Sequence, residues 1–288
     1  MLSSAWESES RKHKRIHWAD PKNNWLQTDV RRAISKFQDT QVEAEFAQAV
    51  EEHRIEEVYW VGGEPLMYEQ HWKYMQRIIE LGDGPRVYAR YNTNLSRVNY
   101  LGVNLFKDIL SHVRDWQICA SLDGTRWIGE YIRHGLDYQG WLQNFKEGLK
   151  YATNPRQMRI DFTLTLPGLA EIIEVENLAE ELNVELLLKN IFTFSPEVIL
   201  SPLALPRPIL EDTLECLIDN SNNVKVKDFL HQLALRPTYQ ERWPDEYLDG
   251  WRRGKRRILQ LEQIRDENNT MTIILQQWPK IYKWWNEI

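Results

Sequence analysis

Hydrophobic and polar positions follow two different periods along the middle of the chain. Short runs of β-branched and aromatic residues are separated by longer stretches in which apolar residues recur every three or four positions. The first pattern predicts strands and the second predicts amphipathic helices. The predicted strands are Glu57–Val61, Arg86–Asn92, Asp115–Ser121, Met158–Leu166 and Val184–Lys189. The predicted helices between them are Glu69–Leu81, Val103–Val113, Tyr138–Tyr151 and Ala170–Leu182.

The order of these elements predicts an α/β fold with a parallel sheet or barrel, because strand–helix alternation at this spacing builds βαβ units. Helical patterns over Thr28–Phe37 and Gln41–His53 precede the first predicted strand, where a complete barrel would begin with a strand. Beyond Pro196 the pattern is helical, with helices predicted at Ile209–Asp219, Val226–Leu235, Leu248–Asp266 and Met271–Glu287. We therefore predict a βα domain over residues 1–206 and a helical extension, packed on it, over residues 207–288.

Composition narrows the class of protein. A chain of 288 residues is long enough for one large α/β domain. The formal net charge of −6 disfavours a broad electrostatic contact with nucleic acid. No apolar run approaches the length that spans a bilayer, and the first residues contain no signal-peptide core, so we expect a cytoplasmic protein without membrane contact.

The sharpest motif closes the first predicted strand. It contains two glycines, which allow a close backbone approach to a ligand, and a carboxylate that could grip an ammonium group. Ligands of parallel α/β folds bind at this end of the strands. A tight turn with a solvated glutamate explains the motif equally well when it is taken alone. The motif is Val61-Gly62-Gly63-Glu64-Pro65.

Three further polar segments follow the later strands. Each could be an ordinary polar turn, because Asn, Ser and Asp are common turn residues. Their occurrence at successive strand ends is harder to explain by turns alone and predicts a shared ligand site. The segments are Tyr91-Asn92-Thr93-Asn94, Ser121-Leu122-Asp123-Gly124 and Glu130-Tyr131-Ile132-Arg133-His134-Gly135.

These motifs resemble those of radical S-adenosylmethionine (SAM) enzymes, in particular the subgroup related to SPASM and twitch-domain proteins. The similarity covers Tyr59–Pro206 and keeps the family's motif order. It implies a (β/α)6-type barrel, here without its first strand, and 5′-deoxyadenosyl radical chemistry on a substrate that the sequence does not identify. Gly62, Gly63, Glu64 and Pro65 match the motif that holds the amino group of SAM.

The remaining correspondences concern the rest of SAM. Asn92 and Asn94 match polar positions of the family, and Ser121 and Asp123 match positions beside the ribose. Arg133 matches a position able to reach the SAM carboxylate. As cofactors, the resemblance implies SAM together with a 4Fe–4S cluster.

The chain departs from the family in its cysteines. Radical SAM enzymes hold the cluster with a CxxxCxxC loop, whereas this sequence has two distant cysteines, Cys119 and Cys216. In relatives, that loop closely precedes a segment resembling Leu2–Trp6. We therefore expect the cysteine loop to lie upstream or on a separate partner chain.

Three interpretations remain open from the sequence. The first is a radical SAM enzyme module that is incomplete without the cysteine loop. The second is a degenerate, non-catalytic barrel that binds SAM or a nucleotide. The third, weaker one is a metal-independent barrel enzyme that uses Glu64 as acid or base. Lys189, at the end of the last predicted strand, either faces the ligand or neutralises a neighbouring carboxylate.

Overall fold

Seven strands lie in the part of the chain that the computed structural model describes, which comprises residues 28–191, 193, 195–267 and 269–287. The segment Leu2–Trp6 falls outside these residues. All five predicted strands are confirmed, with ends that shift by no more than two residues. In chain order the strands are Glu57–Trp60 (β1), Tyr88–Thr93 (β2), Asn99–Tyr100 (β3), Val103–Asn104 (β4), Asp115–Ser121 (β5), Met158–Leu164 (β6) and Glu185–Asn190 (β7).

The main sheet contains five strands in the order β1-β2-β5-β6-β7. Parallel pairing joins β1 to β2, β2 to β5 and β6 to β7. Neighbouring strands follow one another along the chain, so the order lacks the reversal that marks a doubly wound sheet. The prediction of an α/β protein with a parallel sheet is confirmed.

Helices connect the strands and make up the C-terminal part of the chain. Most begin and end within two residues of the predicted bounds, whereas the short helices Arg126–Ile132 and Tyr239–Arg242 were not predicted. The helices are Thr28–Phe37 (α1), Glu43–Glu51 (α2), Glu69–Glu80 (α3), Arg126–Ile132 (α4), Tyr138–Leu149 (α5), Ile172–Glu181 (α6), Arg207–Asn220 (α7), Val224–Ala234 (α8), Tyr239–Arg242 (α9), Tyr247–Arg265 (α10), Thr270–Leu275 (α11) and Pro279–Glu287 (α12).

Two predicted helices are interrupted. The predicted helix Met271–Glu287 is two helices, because Pro279 lacks a backbone donor and its ring clashes with the preceding turn of a helix. The predicted helix Val103–Val113 begins instead with β4, which pairs with β3 in an antiparallel hairpin. A π-helical turn, Leu105–Ile109, and a 3₁₀ turn, Leu110–His112, follow that strand.

The strands of the main sheet have one apolar and one polar face. Side chains alternate between the faces of a strand, so residues two apart share a face. In β2 the apolar face carries Ala89 and Tyr91, and in β6 it carries Ile160 and Phe162, all fully buried. The other face carries Tyr88, Arg90 and Asn92 in β2 and Arg159, Asp161 and Thr163 in β6, and Glu185, Leu187 and Lys189 of β7 pair in register with the β6 residues.

Tertiary contacts divide the chain into two units. One contains the described residues through Ala120 together with Gly140–Met158, and the other contains Ser121–Gln139 and the described residues from Arg159 onward. Each unit has its own aromatic core: Trp141 stacks on Phe145 in the first, and Trp251 packs edge-on against Trp285 in the second. The C-terminal helices therefore share a unit with β6 and β7, and the domain division after residue 206 stays a prediction. No helix in the described ranges is long and apolar enough to cross a membrane.

Candidate functional site

The turn after β1 uses both of its glycines in a conformation that other residues rarely adopt. Gly62 has φ +89° and Gly63 has φ +50°. No described atom lies within 4 Å of the position that a Cβ would take at Gly62. The turn is therefore exposed along its backbone at this residue, as a ligand contact requires.

Gly63 has a structural reason to be glycine. A Cβ at this position would lie 2.5 Å from the hydroxyl oxygen of Tyr68, whose ring closes over the turn. The positive φ values account for both glycines within the turn, Tyr68 lies against Gly63, and Gly62 leaves open space at its Cβ position.

Glu64 holds the turn against the end of β2. Its Oε1 accepts hydrogen bonds from the Thr93 hydroxyl and, at 3.2 Å, from the Leu66 N–H, and its Oε2 accepts one from the Asn94 N–H at 2.6 Å. Both carboxylate oxygens are engaged within the protein. Glu64 is therefore neither the solvated side chain of a simple turn nor a freely available acid or base.

The end of β2 supplies the partners of this carboxylate. Thr93 is buried, and its hydroxyl oxygen also accepts a hydrogen bond from the Leu95 N–H at 2.9 Å. Asn92 and Asn94 are half-buried, and Asn92 lies beside Cys119 in the parallel register of β2 with β5. The structure thus brings Glu64 and Asn94 together, and Pro65 is buried at the start of the following 3₁₀ turn.

Asp123 and Arg133 form a second cluster, in the other unit. The Asp123 carboxylate accepts a hydrogen bond from the Thr163 N–H at 2.9 Å through Oδ1, and its Oδ2 lies 3.2 Å from Arg133 Nε. Burial raises the pKa of Asp123, while the Arg133 charge and the Thr163 hydrogen bond act to lower it. Ser121 is buried at the end of β5 in the same unit.

A further carboxylate near this cluster was not predicted from the sequence. Glu171 is buried, and its Oε2 accepts hydrogen bonds from both the N–H and the hydroxyl of Thr125, at 2.5 and 2.7 Å. Burial raises the pKa of Glu171. Through its hydrogen bonds to Thr125, Glu171 stabilises the start of α4 and the loop that carries Asp123. No motif in the sequence marks Glu171, because its partner lies 46 residues away.

Asp161 was also missed, although the sequence contains an indication of it. Polar residues alternate with apolar ones in Arg159-Ile160-Asp161-Phe162-Thr163, which places a carboxylate on the polar face of β6. Asp161 is buried and pairs with Lys189 of β7, whose Nζ lies 2.6 Å from Asp161 Oδ2. The open question about Lys189 is thus answered in part, because it neutralises a neighbouring carboxylate.

The two cysteines do not fit a 4Fe–4S cluster. Cys119 is buried in β5 and Cys216 is exposed on α7, and neither cysteine forms a disulfide. Within the described residues, no group of three or more histidine, cysteine, aspartate or glutamate side chains is placed to hold a metal ion. A cluster of the kind that the resemblance implies therefore needs ligands other than these two thiols.

No protein-family model, curated protein or solved structure matches the chain. A function must therefore be inferred from the residues of the site rather than from a relative.

Proposed function

We propose that the chain is a SAM-binding module of the radical SAM type, in which the five parallel strands form part of a (β/α)6 barrel. The observation that carries the proposal is the turn after β1, with its exposed Gly62 backbone at the carboxyl end of a parallel strand. Parallel sheets that are buried on both faces carry apolar side chains on both faces. The half-buried Asn92, on the polar face of β2, supports a barrel interior that receives a polar ligand.

Within this proposal the residues have distinct roles. Glu64 keeps the turn in place through Thr93 and Asn94, so the carbonyl groups of the turn are the acceptors for the ammonium group of SAM. Asn92 and Asn94, half-buried at the end of β2, offer amide groups to the ligand.

A second candidate is a barrel that binds SAM or a nucleotide without radical chemistry. The positions of Cys119 and Cys216 favour it, because no thiolate loop can be assembled from them. Radical chemistry would require three thiolates from an upstream segment or a separate chain. In both candidates the protein acts in the cytoplasm and contacts neither a membrane nor nucleic acid, and the substrate class is open.

A substitution that adds one methyl group to the turn tests the proposal. Gly62→Ala adds a Cβ on the exposed side of the turn, where the ammonium group would lie, and isothermal titration calorimetry with SAM measures the effect. We expect the affinity to fall at least about tenfold, since a loss of about 1.4 kcal/mol suffices for that factor.

Gly102→Ala is the matched control. Gly102 has φ +85° and also has no described atom within 4 Å of a Cβ position, so the two variants carry the same backbone strain of about 1–2 kcal/mol. The control should bind SAM like the native protein. Equal affinity in Gly62→Ala and Gly102→Ala, or no SAM binding by the native chain, would overturn the proposal.

A further inference from the structure

The first strand of the main sheet has backbone groups that point away from its neighbour. β1 lies at one end of the strand order and pairs with β2. The Tyr88 N–H of β2 donates a hydrogen bond to the Glu56 carbonyl at 2.8 Å, so the backbone of Glu56 faces β2. Successive backbone groups of a strand point to opposite sides, so those of Glu57, Tyr59 and Val61 face away from β2. The N–H and carbonyl of Tyr59 have no hydrogen-bond partner among the described residues.

Largely apolar side chains beside this edge are exposed to solvent. Tyr59 is 45% exposed and Val61 is 51% exposed. In the turn that follows, Met67 and Tyr68 are 54% and 50% exposed. Natural sheets often protect an open edge with lysine or proline, and the sequence of β1 contains neither. Such an edge is a surface to which another strand can pair through its backbone.

The charge of β1 favours a second copy of the chain in the antiparallel direction. Glu57 is the one charged residue of β1, and its Oε1 lies 3.1 Å from Arg90 Nη1. A parallel copy in register would place the two Glu57 residues side by side, and like charges in that position destabilise a sheet. In an antiparallel pair centred on Tyr59, Glu57 instead lies opposite Val61 of the second copy. The two Glu57 residues are then about 14 Å apart along the strands.

We propose that two copies of the chain associate through β1, in an antiparallel pair with Tyr59 on the two-fold axis. The N–H and carbonyl of Tyr59 exchange both of their hydrogen bonds with the same groups of the second copy, and Glu57 does so with Val61. The two Tyr59 rings become neighbours on the exposed face, and Val58 lies opposite Trp60 of the second copy on the other face. The contact closes at two chains because both use the same surface. This inference goes beyond the proposed function and does not depend on SAM binding.

Sedimentation velocity on the native chain, from about 1 to 100 μM, measures the association. We expect a monomer–dimer equilibrium in the micromolar range, because one strand pair is a small interface compared with a permanent one. A native chain that stays monomeric over this range overturns the proposal. Larger assemblies that do not stop at the dimer overturn it as well.

Tyr59→Lys places two ammonium groups side by side at the centre of the pair. The dissociation constant of the dimer should rise at least about tenfold, because like charges directly opposite each other destabilise strand pairing. Leu101→Lys is the matched control, since Leu101 is 85% exposed in the β3–β4 loop of the same unit and receives the same charge. This control should dimerise like the native protein. Equal dissociation constants in the two variants would count against the proposal decisively.

A disulfide cross-link tests the register without adding charge, since Arg90 lies over the Tyr59 ring at 4.9 Å and would repel a lysine there. Directly opposed residues of a hydrogen-bonded antiparallel pair have Cα atoms about 5.5 Å apart, which a disulfide can span. In a Cys216→Ala background, which removes the exposed thiol, Tyr59→Cys should form a linked dimer on oxidation and Glu57→Cys should not. Non-reducing electrophoresis and intact mass detect the link. Equal cross-linking of the two variants, or none in Tyr59→Cys, overturns the proposal.

Discussion

At the scale of single residues, His71 shows how strongly burial can shift the pKa of a side chain in this protein. His71 lies on α3 and is 0% exposed, with its Nε2 3.1 Å from the Tyr91 hydroxyl. Burial lowers its pKa to about 3 from an ordinary value of 6.5. The imidazole is therefore neutral in the folded protein at every pH at which the protein is usually handled.

This burial makes stability depend on pH in a defined direction. The unfolded chain takes up a proton at His71 below pH 6.5, whereas the folded protein does so only near pH 3, so stability is complete above 6.5 and is lost as pH falls. Between pH 6.5 and 5 the loss from this residue should be about 2 kcal/mol.

Urea unfolding of the native protein and of His71→Leu, at several pH values, checks this expectation. The variant should be less stable at pH 7, because the Tyr91 hydroxyl loses its partner, but its stability should fall less steeply between pH 6.5 and 5. His112→Gln, a change at an exposed histidine, should leave the native slope in place. Equal slopes in all three proteins would show that His71 is protonated in the folded state.

At the residue scale, a candidate site residue could be recognised from the sequence only where its distinguishing feature is local in the chain. Glu64, Asn92, Asn94 and Asp123 could be proposed from the sequence because each stands in a motif at a strand end. Asp161 and Glu171 were not found, because what distinguishes them is an unpaired oxygen or a partner far along the chain. Such properties arise from burial and tertiary contacts, which the periodicity of hydrophobic positions in the sequence does not predict.

At the scale of elements, the β3–β4 hairpin shows why one prediction was wrong. Its two-residue loop, Leu101 and Gly102, has positive φ at both positions, +47° and +85°. Asn-Gly is the usual sequence of such a loop, and Leu-Gly is not recognised as a turn. The apolar spacing over Val103–Val113 then predicted a helix where the chain forms β4 and two short helical turns.

The same observation predicts a stabilising substitution. Leu101 is 85% exposed, so it contributes little packing, and a leucine at positive φ is strained. Leu101→Asn should raise the free energy of unfolding by about 1 kcal/mol, because asparagine tolerates this conformation. Thermal and urea unfolding measure the change. Leu235→Asn is the control, because Leu235 is 78% exposed with ordinary helical φ, and it should not stabilise.

The main strands were easier to predict than the hairpin, because each carries an uninterrupted pattern of its own. β5 was predicted to the residue, since its apolar face and its length both fit a buried parallel strand. The order of the five strands also agrees with the expected sequence of βαβ units. Whether the sheet closes into a barrel could not be predicted in this way, because closure depends on strand tilt and stagger, which no local sequence pattern encodes.

At the scale of the whole molecule, the number and positions of the cysteines decide whether the chain's own thiols can hold an iron–sulfur cluster. The sequence offers two thiols, one buried in a strand and one exposed on a helix. Four-cysteine ligation is the common way to hold an iron–sulfur cluster, and radical SAM enzymes still use three closely spaced thiolates. The proposed resemblance to this family therefore rests on the loops that follow the strands and does not extend to the residues that would hold the metal.

We predict that anaerobic reconstitution with iron and sulfide leaves the purified chain without a site-bound 4Fe–4S cluster. Two thiols are fewer than such a cluster requires, and Cys119 is buried in β5 whereas Cys216 is exposed on α7. Iron per chain and the thiolate-to-iron absorbance band should match those of the double variant Cys119→Ala/Cys216→Ala. About four irons per chain, lost in that variant, would show that the chain holds a cluster through its own cysteines.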